Sequence, residues 1–537
     1  MQTTDTPHPI VIATTQPFNA DVPPTYIWFR PSNLSFNDFR HITIVDIGFV
    51  EDGQLVFAYS GKAAYRDPEK GEYVGVGNAL LATPEREGGL IITDVDQVFS
   101  LAAEQEDYRR MIRQFGVDAG NRMLASANDL VAIAGRAAKR STLRAALQSD
   151  VFRFSLIRGS EAYYAFKNAA PILRGLDQED LQSGPASVII NLTDQDGRDV
   201  PIDFTFDHHS TIPRRTCVII GKNGVGKSRA LGAIARKALT GIRGDASQDD
   251  DRIMASRVLA FTPGNENTAT FPNEGRKRPA TFYKRLSTSR ARPGDTANTA
   301  TANIVEVFRN NREIGGKSRF SIFLQAVQAL NRPDEIAFRA GSHEEHIRLT
   351  SLLRSSEQRQ LQMLTDMDAG HEPGRIINGH FHHLSTGEVR FVKLLAQACT
   401  YIENGTLLLL DEPETHLHPN FIARLMSALE TLIEATGSCA IMATHSVYVV
   451  REVFHDQVVI VEKDSEGRIV VKDPGMRTFG ADISSISAFI FGEEDTSFLA
   501  DDVIRRINSE NLSFEEVRAK YGKWLSRELL SELRGDE

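Results

Sequence analysis

Cysteine is scarce: the 537 residues hold three, Cys217, Cys399 and Cys439, each inside an apolar run and none in a CxxC pair. That excludes a disulfide scaffold and a zinc ribbon, and reads as small buried hydrophobes in a reducing compartment. Long apolar runs are missing too; nothing approaches the roughly 18 uninterrupted residues of a membrane span. Met1 to Pro7 has no basic stretch followed by an apolar one, so the start does not read as a secretion signal and a cytoplasmic protein is expected. Positive charge is in deficit, with a formal net charge of -10, so any nucleic-acid contact must come from a local patch. No heptad pattern lasts long enough for an extended coiled coil. What remains is ordinary for a globular chain, with 41% hydrophobic and 25% charged residues, and the length implies several structural units or one with insertions.

Along the chain, residues 1–24 are rich in Thr, Pro and Asn and read as a flexible arm. Residues 25–185 read as an N-terminal α+β region. Tyr26–Phe29, Ile42–Phe49 and Gln54–Tyr59 have strand character, the last two pairing across the Glu51-Asp52-Gly53 turn, and Asp94–Gln148 has helical spacing. Residues 186–300 form a lobe in which Ser187–Leu192 and Ile202–Phe206 read as paired strands. Residues 301–380 carry the apolar stripe Phe308, Phe320, Phe323, Leu324, Val327 and Leu330 and read as a helical insertion. Residues 381–475 hold two further buried strands, and 476–537 read as a helical tail. His380, His382 and His383 lie on a short strand without a nearby acidic or cysteine ligand and read as structural.

Two stretches carry chemistry. Thr216–Ile220 is a short apolar strand running into Gly221-Lys222-Asn223-Gly224-Val225-Gly226-Lys227-Ser228, which fits G-x-x-x-x-G-K-[ST]. The glycines let successive N–H groups turn toward a polyphosphate, Lys227 adds a charge for the β/γ-phosphates, and the Ser228 hydroxyl suits Mg²⁺. Thr406–Leu410 is an unbroken apolar strand ending in Asp411-Glu412-Pro413. A run without alternation is covered on both faces, as in the middle of a parallel sheet. Asp411 suits Mg²⁺, directly or through water, and Glu412 suits a base for an attacking water. Leu384-Ser385-Thr386-Gly387-Glu388 has capping-box spacing before an amphipathic run, and Cys439–Thr444 is a second buried strand ending at His445 and Ser446.

In that order, the phosphate loop, the LSTGE helix start, the LLLLDEP strand and the terminal ATHS resemble the motifs of ABC-type ATPase heads over roughly residues 190–460. The Asp411-Glu412-Pro413-Glu414-Thr415-His416-Leu417-His418-Pro419 form resembles the RecF/OLD/SMC-like branch. The resemblance implies an α/β fold: an ABC-ATPase head with a mixed or parallel P-loop sheet, an antiparallel N-terminal lobe and helical insertions. It implies ATP and Mg²⁺ as cofactors, with catalysis by Glu412, His445 and Lys227. Nucleotide would be bound by Gly221 to Ser228 together with Ser385 and Gly387, and metal by Ser228 and Asp411. In such heads two copies close around ATP, Ser385 and Gly387 reaching the γ-phosphate held by the other copy's Lys227, so a homodimer or higher oligomer is implied. Thr386 stands where a glycine is usual, and no glutamine follows Arg257–Thr262.

Arg477–Ile483 and Phe491–Asp495 resemble the tails of antiphage ATPases of the Septu (PtuA-like) and retron-associated group, which implies a separate nuclease effector subunit as partner. No nuclease motif completes itself within the chain. The segment Arg276–Arg292 interleaves positive and aromatic residues and suits DNA or RNA contact, although a solvated surface loop is the favoured reading. Alternatives are a repair or recombination ATPase acting directly on DNA, and a nucleotide-gated scaffold with little hydrolysis.

Overall fold

The computed structural model describes residues 8–16, 22–32, 34, 40–68, 70–83, 89–134, 136–157, 161–162, 165–166, 169–175, 184–240, 253, 255–264, 270–274, 281–291, 295–310, 313–341, 346–415, 417–492, 498–510 and 512–535. The N-terminal lobe is a seven-stranded sheet built from β1 (Ile10–Ile12), β2 (Tyr26–Pro31), β3 (Ile44–Glu51), β4 (Gln54–Arg66), β5 (Tyr73–Gly75), β6 (Leu90–Ile92) and β7 (Val98–Ala102). Its order is β5-β4-β3-β2-β1-β6, with β7 on β4. Every pair is antiparallel except β1 with β2. The expected β3–β4 hairpin forms, with Asp52 and Gly53 both at positive φ (50° and 77°), the backbone that an Asp-Gly turn favours.

Two expectations fail here. The 1–24 arm is not flexible throughout, because Ile10, Val11 and Ile12 are fully buried and paired on both sides. Three consecutive branched apolar residues form a covered strand, a signal hidden by the Thr- and Pro-rich composition around them. Nor is 94–148 helical throughout, since β7 precedes α1 (Gln105–Ser126), which itself kinks at Gly116 (φ 76°).

A hairpin of β8 (Ser187–Thr193) and β9 (Asp199–Thr205) leads into the central sheet. β10 (Thr216–Ile220) is followed by α2 (Lys227–Thr240), β11 (Arg257–Thr262) and β12 (Phe282–Ser287). The insertion follows with α3 (Ala300–Arg309), β13 (Glu313–Ile314), β14 (Lys317–Ser318) and α4 (Arg319–Val327), then β15 (Ile336–Arg339), β16 (His346–Arg348), helices Leu349–Arg354 and Glu357–Asp366, β17 (Gly374–Ile377) and β18 (His380–His383). The helical reading of 301–380 is therefore corrected: the segment is mixed, with an antiparallel sheet ordered β16-β15-β17-β18. Strands of three or four residues are too short for their period to stand out beside the apolar helical stripe. The chain returns through α5 (Thr386–Tyr401), β19 (Leu407–Asp411), α6 (Pro419–Thr436), β20 (Cys439–Thr444), β21 (Val458–Lys463) and β22 (Ile469–Lys472). It ends in helices Ile483–Phe491, Phe498–Ser509, Phe514–Tyr521 and Arg527–Gly535. No helix among the described residues is long and apolar enough to cross a membrane.

The central sheet runs β12-β11-β19-β20-β10-β21-β22, parallel except for the edge strand β22. Alternate side chains of its strands feed two separate cores. Cys217, Ile219, Leu407 and Leu409 pack with α2 and the β8–β9 hairpin, whereas Val218, Ile220, Leu408 and Leu410 pack with α3, α4, α5 and α6. The unbroken leucines of β19 are the direct consequence. This is an α/β head built on a mostly parallel sheet, carrying an N-terminal lobe and a mixed insertion.

Lobe, sheet and insertion meet at Glu403, after α5. Its carboxylate takes Arg109 of α1 at 3.3 Å and Arg319 of α4 at 3.2 Å. Arg319, whose side chain is fully buried, also donates to the Cys399 carbonyl at 3.1 Å. Arg257 of β11 donates to the Tyr401 carbonyl at 3.0 Å and pairs with Glu104 of the N-terminal lobe. Burial alone would raise the Glu403 pKa, but Arg109, Arg319 and Arg257 outweigh it and hold the carboxyl at about 2. A folded pKa below the ordinary value contributes stability above the ordinary value and loses it as pH falls through about 2. Glu403→Gln, which removes the carboxylate that Arg109 and Arg319 face, is expected to cost roughly 3–5 kcal/mol at pH 7. Urea unfolding followed from pH 7 downward checks this: the gap to wild type should shrink in the acid range, and a gap independent of pH would refute it.

Candidate functional site

Register sets the geometry. Ile220 of β10 lies beside Thr444 of β20, and Asp411 of β19 beside Ala443. Three parallel strands therefore end flush, and the residues just past them share one edge, where ligands of open α/β sheets bind. Gly221 to Gly226 form the turn from β10 into α2. Gly221 lies so close to β21 that a Cβ there would sit 2.0 Å from the Val461 carbonyl oxygen. Gly224 and Gly226 take φ of 79° and 113°, a backbone that favours glycine.

Lys227 is 6% exposed, and its ammonium donates to the carbonyls of Gly221 at 2.8 Å and Lys222 at 3.1 Å. Burial lowers its pKa, opposed by the carboxylates of Glu412, Asp411 and Glu414. The Ser228 hydroxyl donates to Asp411 Oδ1 at 2.9 Å. Burial raises the Asp411 pKa against the Ser228 bond, with Glu412 adding to the rise and Lys227 opposing it. Glu412 has φ of 45°, strained for a side chain of its size, and its N–H donates to the Ala443 carbonyl at 2.9 Å. Its Oε1 lies 3.3 Å from Nδ1 of His445, with both side chains partly exposed. Lys227, Ser228, Asp411, Glu412 and His445 thus gather at one edge, from three different strand ends.

Two members were not singled out from sequence as parts of this cluster. Glu414 is 5% exposed and receives the Thr444 hydroxyl, while its other oxygen has no hydrogen-bond partner. Burial raises its pKa and the Thr444 bond counters the rise. The acidic repeat Asp411-Glu412-Pro413-Glu414 was the available signal, but only the fold brings Thr444 across to it.

Ser385 and Gly387 lie elsewhere, at the start of α5, where the Ser385 side chain bonds within its own helix turn rather than to the loop. The capping box forms: Ser385 Oγ accepts from the Glu388 N–H at 3.3 Å, and the Ser385 N–H donates to Glu388 Oε2 at 2.9 Å. Ser385 and Thr386 are exposed. Among the described residues no group of three or more histidine, cysteine or acidic side chains is placed to hold a metal ion. Ser228 and Asp411 instead offer a hydroxyl and a carboxylate side by side. Those donors fit Mg²⁺, which keeps several waters and takes further oxygens from phosphates. Of the basic segment, Arg276, Lys277, Arg278 and Arg292 lie outside the described residues. Lys284 pairs with Glu274 at 3.0 Å, and Arg290 is exposed.

Together these place a glycine-rich loop, its lysine and serine, and the carboxylates of a neighbouring strand end on one edge of a parallel sheet. Residues 278–451, about a third of the chain, match the family described as "AAA domain, putative AbiEii toxin, Type IV TA system". Protein ea59 of Escherichia phage lambda is 22% identical over 449 residues, covering 80% of this chain and 81% of that protein. UvrABC system protein A of Thermus thermophilus is 31% identical over 97 residues, covering 17% of this chain and only 9% of its own length. Among solved structures, cbiO1 of Clostridium perfringens, part of the ABC transporter complex cbiONQ, aligns with a TM-score of 0.28 at 16% identity, covering 61% of this chain and 95% of that one. The SmcHead bound to the C-winged helix domain of ScpA aligns with a TM-score of 0.28 at 14% identity, covering 54% and 98%.

A raised Asp411 pKa makes the ionised carboxylate a cost to the fold. The favourable contribution exists below the ordinary carboxyl range and is lost as pH rises through the folded value. Asp411→Asn, which keeps an acceptor for Ser228 but cannot ionise, is expected to melt at least as high as wild type at pH 8 without ligand. The advantage should narrow toward acid pH. Differential scanning calorimetry at several pH values measures it, and a lower midpoint at pH 8 would refute the electrostatic account.

Proposed function

We propose that the protein is an ATP-hydrolysing ABC-type ATPase whose nucleotide sites are completed between two copies of the chain, and that it regulates or senses for a separate nuclease effector in an antiphage complex. The observation that carries the ATPase reading is the convergence of Lys227, Ser228, Asp411, Glu412 and His445 at one sheet edge. Gly221 to Gly226 would present backbone N–H groups to a triphosphate, and the start of α2 adds a favourable dipole. Lys227 would leave the two carbonyls it now contacts and turn to the β/γ-phosphates. Mg²⁺ held by Ser228 and Asp411 would neutralise charge on the phosphate oxygens. Glu412 would accept the proton of the attacking water at its carboxylate, with His445 at 3.3 Å positioning it and contacting the γ-phosphate.

The second copy enters because Ser385 and Gly387 stand at a helix start whose first residues are exposed and whose cap bonds close within its own first turn. A capped helix N-terminus is a fit recess for the γ-phosphate bound by another chain. The effector partnership rests on the resemblance of the tail and on the toxin–antitoxin wording of the matched family, which also describes a system of more than one component.

Lys227→Ala is expected to abolish ATP binding, read by equilibrium dialysis. Glu412→Gln should keep ATP bound while phosphate release falls by about 10²-fold or more. Equal turnover in wild type and Glu412→Gln would sink the catalytic assignment. For the paired site, Glu412→Gln with ATP and Mg²⁺ should sediment as a dimer and Ser385→Arg in that background as a monomer. A monomer in both would remove the second copy from the mechanism.

A further inference from the structure

Away from the phosphate loop, a cavity of about 750 Å³ opens between β12, α3 and α5. None of Lys227, Ser228, Asp411, Glu412 or His445 lines it. Its volume falls within the range of small-molecule sites. Leu286 of β12, Val305 of α3 and Met367 supply an apolar floor, all under a tenth exposed.

Its wall is largely polar and includes Arg285, one of whose guanidinium nitrogens is buried without a hydrogen-bond partner. Gln397, on α5, is 5% exposed, yet its Oε1 atom has no hydrogen-bond partner. A buried carbonyl oxygen left open costs about 1–3 kcal/mol unless a donor reaches it. Arg309, at the end of α3, lines the same cavity from an exposed position and takes part in no ion pair among the described residues. Lys284 also lines it, but its charge is matched by Glu274 at 3.0 Å, and its ammonium lies 5.5 Å from the Tyr401 ring centre. Glu306 lies on the rim one helical turn before Arg309. The cavity thus offers an open acceptor inside, an aromatic ring on its wall and, at its mouth, a guanidinium with no ion pair among the described residues.

We propose that this cavity binds a small anionic heterocycle of the size of a nucleoside monophosphate. A ring N–H meets Gln397 Oε1, the ring lies against Tyr401 and the apolar floor, and the phosphate meets Arg309. The chemistry follows from what is left open: a buried acceptor selects a donor, and a guanidinium with no ion pair among the described residues selects a phosphate. The assignment is independent of the phosphate loop.

The test uses the full chain carrying Lys227→Ala, so that binding at the loop does not obscure the cavity. Equilibrium dialysis with AMP, GMP, CMP and UMP, and with adenosine and guanosine lacking phosphate, should find at least one monophosphate that binds. The matching nucleoside should bind about tenfold or more weaker. Adding Arg309→Ala, a surface change, should weaken the monophosphate about tenfold while leaving the nucleoside alone, and Gln397→Leu should weaken both. The proposal is overturned if no monophosphate binds up to about 1 mM, or if binding is indifferent to both substitutions. Circular dichroism melts of each variant separate lost binding from lost folding.

Discussion

The site depends on one constraint, the hydrogen-bond register of β10, β19 and β20. Parallel neighbours with matched ends place the next residues of each chain segment side by side, whatever their separation in sequence. Because the interior of these strands is buried on both faces, charged side chains are tolerated only where the strands stop. Lys227, Asp411, Glu412 and Glu414 are therefore crowded at the edge rather than spread along it. Each changes the ionisation of its neighbours: the carboxylates favour the Lys227 ammonium against burial, and Glu412 opposes ionisation of Asp411. A slip of one residue between β19 and β20 would move Asp411 away from Ser228 and turn the leucines to the wrong cores.

Holding that edge fixed requires the opposite end of the sheet to be rigid, and Glu403 sits there. Burying one carboxylate among guanidiniums is favourable only when each charge is met at contact distance. Arg109, Arg257 and Arg319 come from the N-terminal lobe, the sheet and the insertion, so this one cluster ties three parts of the chain to the residues preceding β19. The apolar cores alone leave more freedom, because dispersion and hydrophobic burial do not specify direction. The ion cluster adds direction.

The parts of the molecule legible in sequence were those governed by local chemistry. The Gly221–Ser228 loop is readable because only glycines at set intervals permit its backbone, and Leu407–Leu410 because an unbroken apolar run has one structural meaning. The Ser385–Glu388 capping box is likewise local, closing within one helical turn. What was not legible is long-range or very short. Ile10–Ile12 looks like part of a loose arm until β2 and β6 are placed beside it. β15 to β18 are too brief for a period, and they stabilise one another only as a set of four. Gln397 carries no signal in sequence; its open oxygen becomes visible only when α3 and β12 stand opposite.

The start of α5 shows how local satisfaction restrains a site. Glu388 takes the Ser385 N–H and hydroxyl with one oxygen, while Arg375 of β17 holds its other oxygen at 2.7 Å. Burial opposes its ionisation, but the Arg375 and Ser385 bonds outweigh burial and keep the carboxyl below its ordinary pKa. The helix N-terminus therefore already faces a negative charge supplied by its own first turn. Any anion brought to Ser385 competes with that carboxylate for the same N–H and also meets its repulsion, which Arg375 offsets. Strength of binding at this point is therefore set by how completely Arg375 neutralises Glu388. Because Arg375 rises from the short sheet of the insertion, that sheet bears on the chemistry of a helix start it does not itself contain.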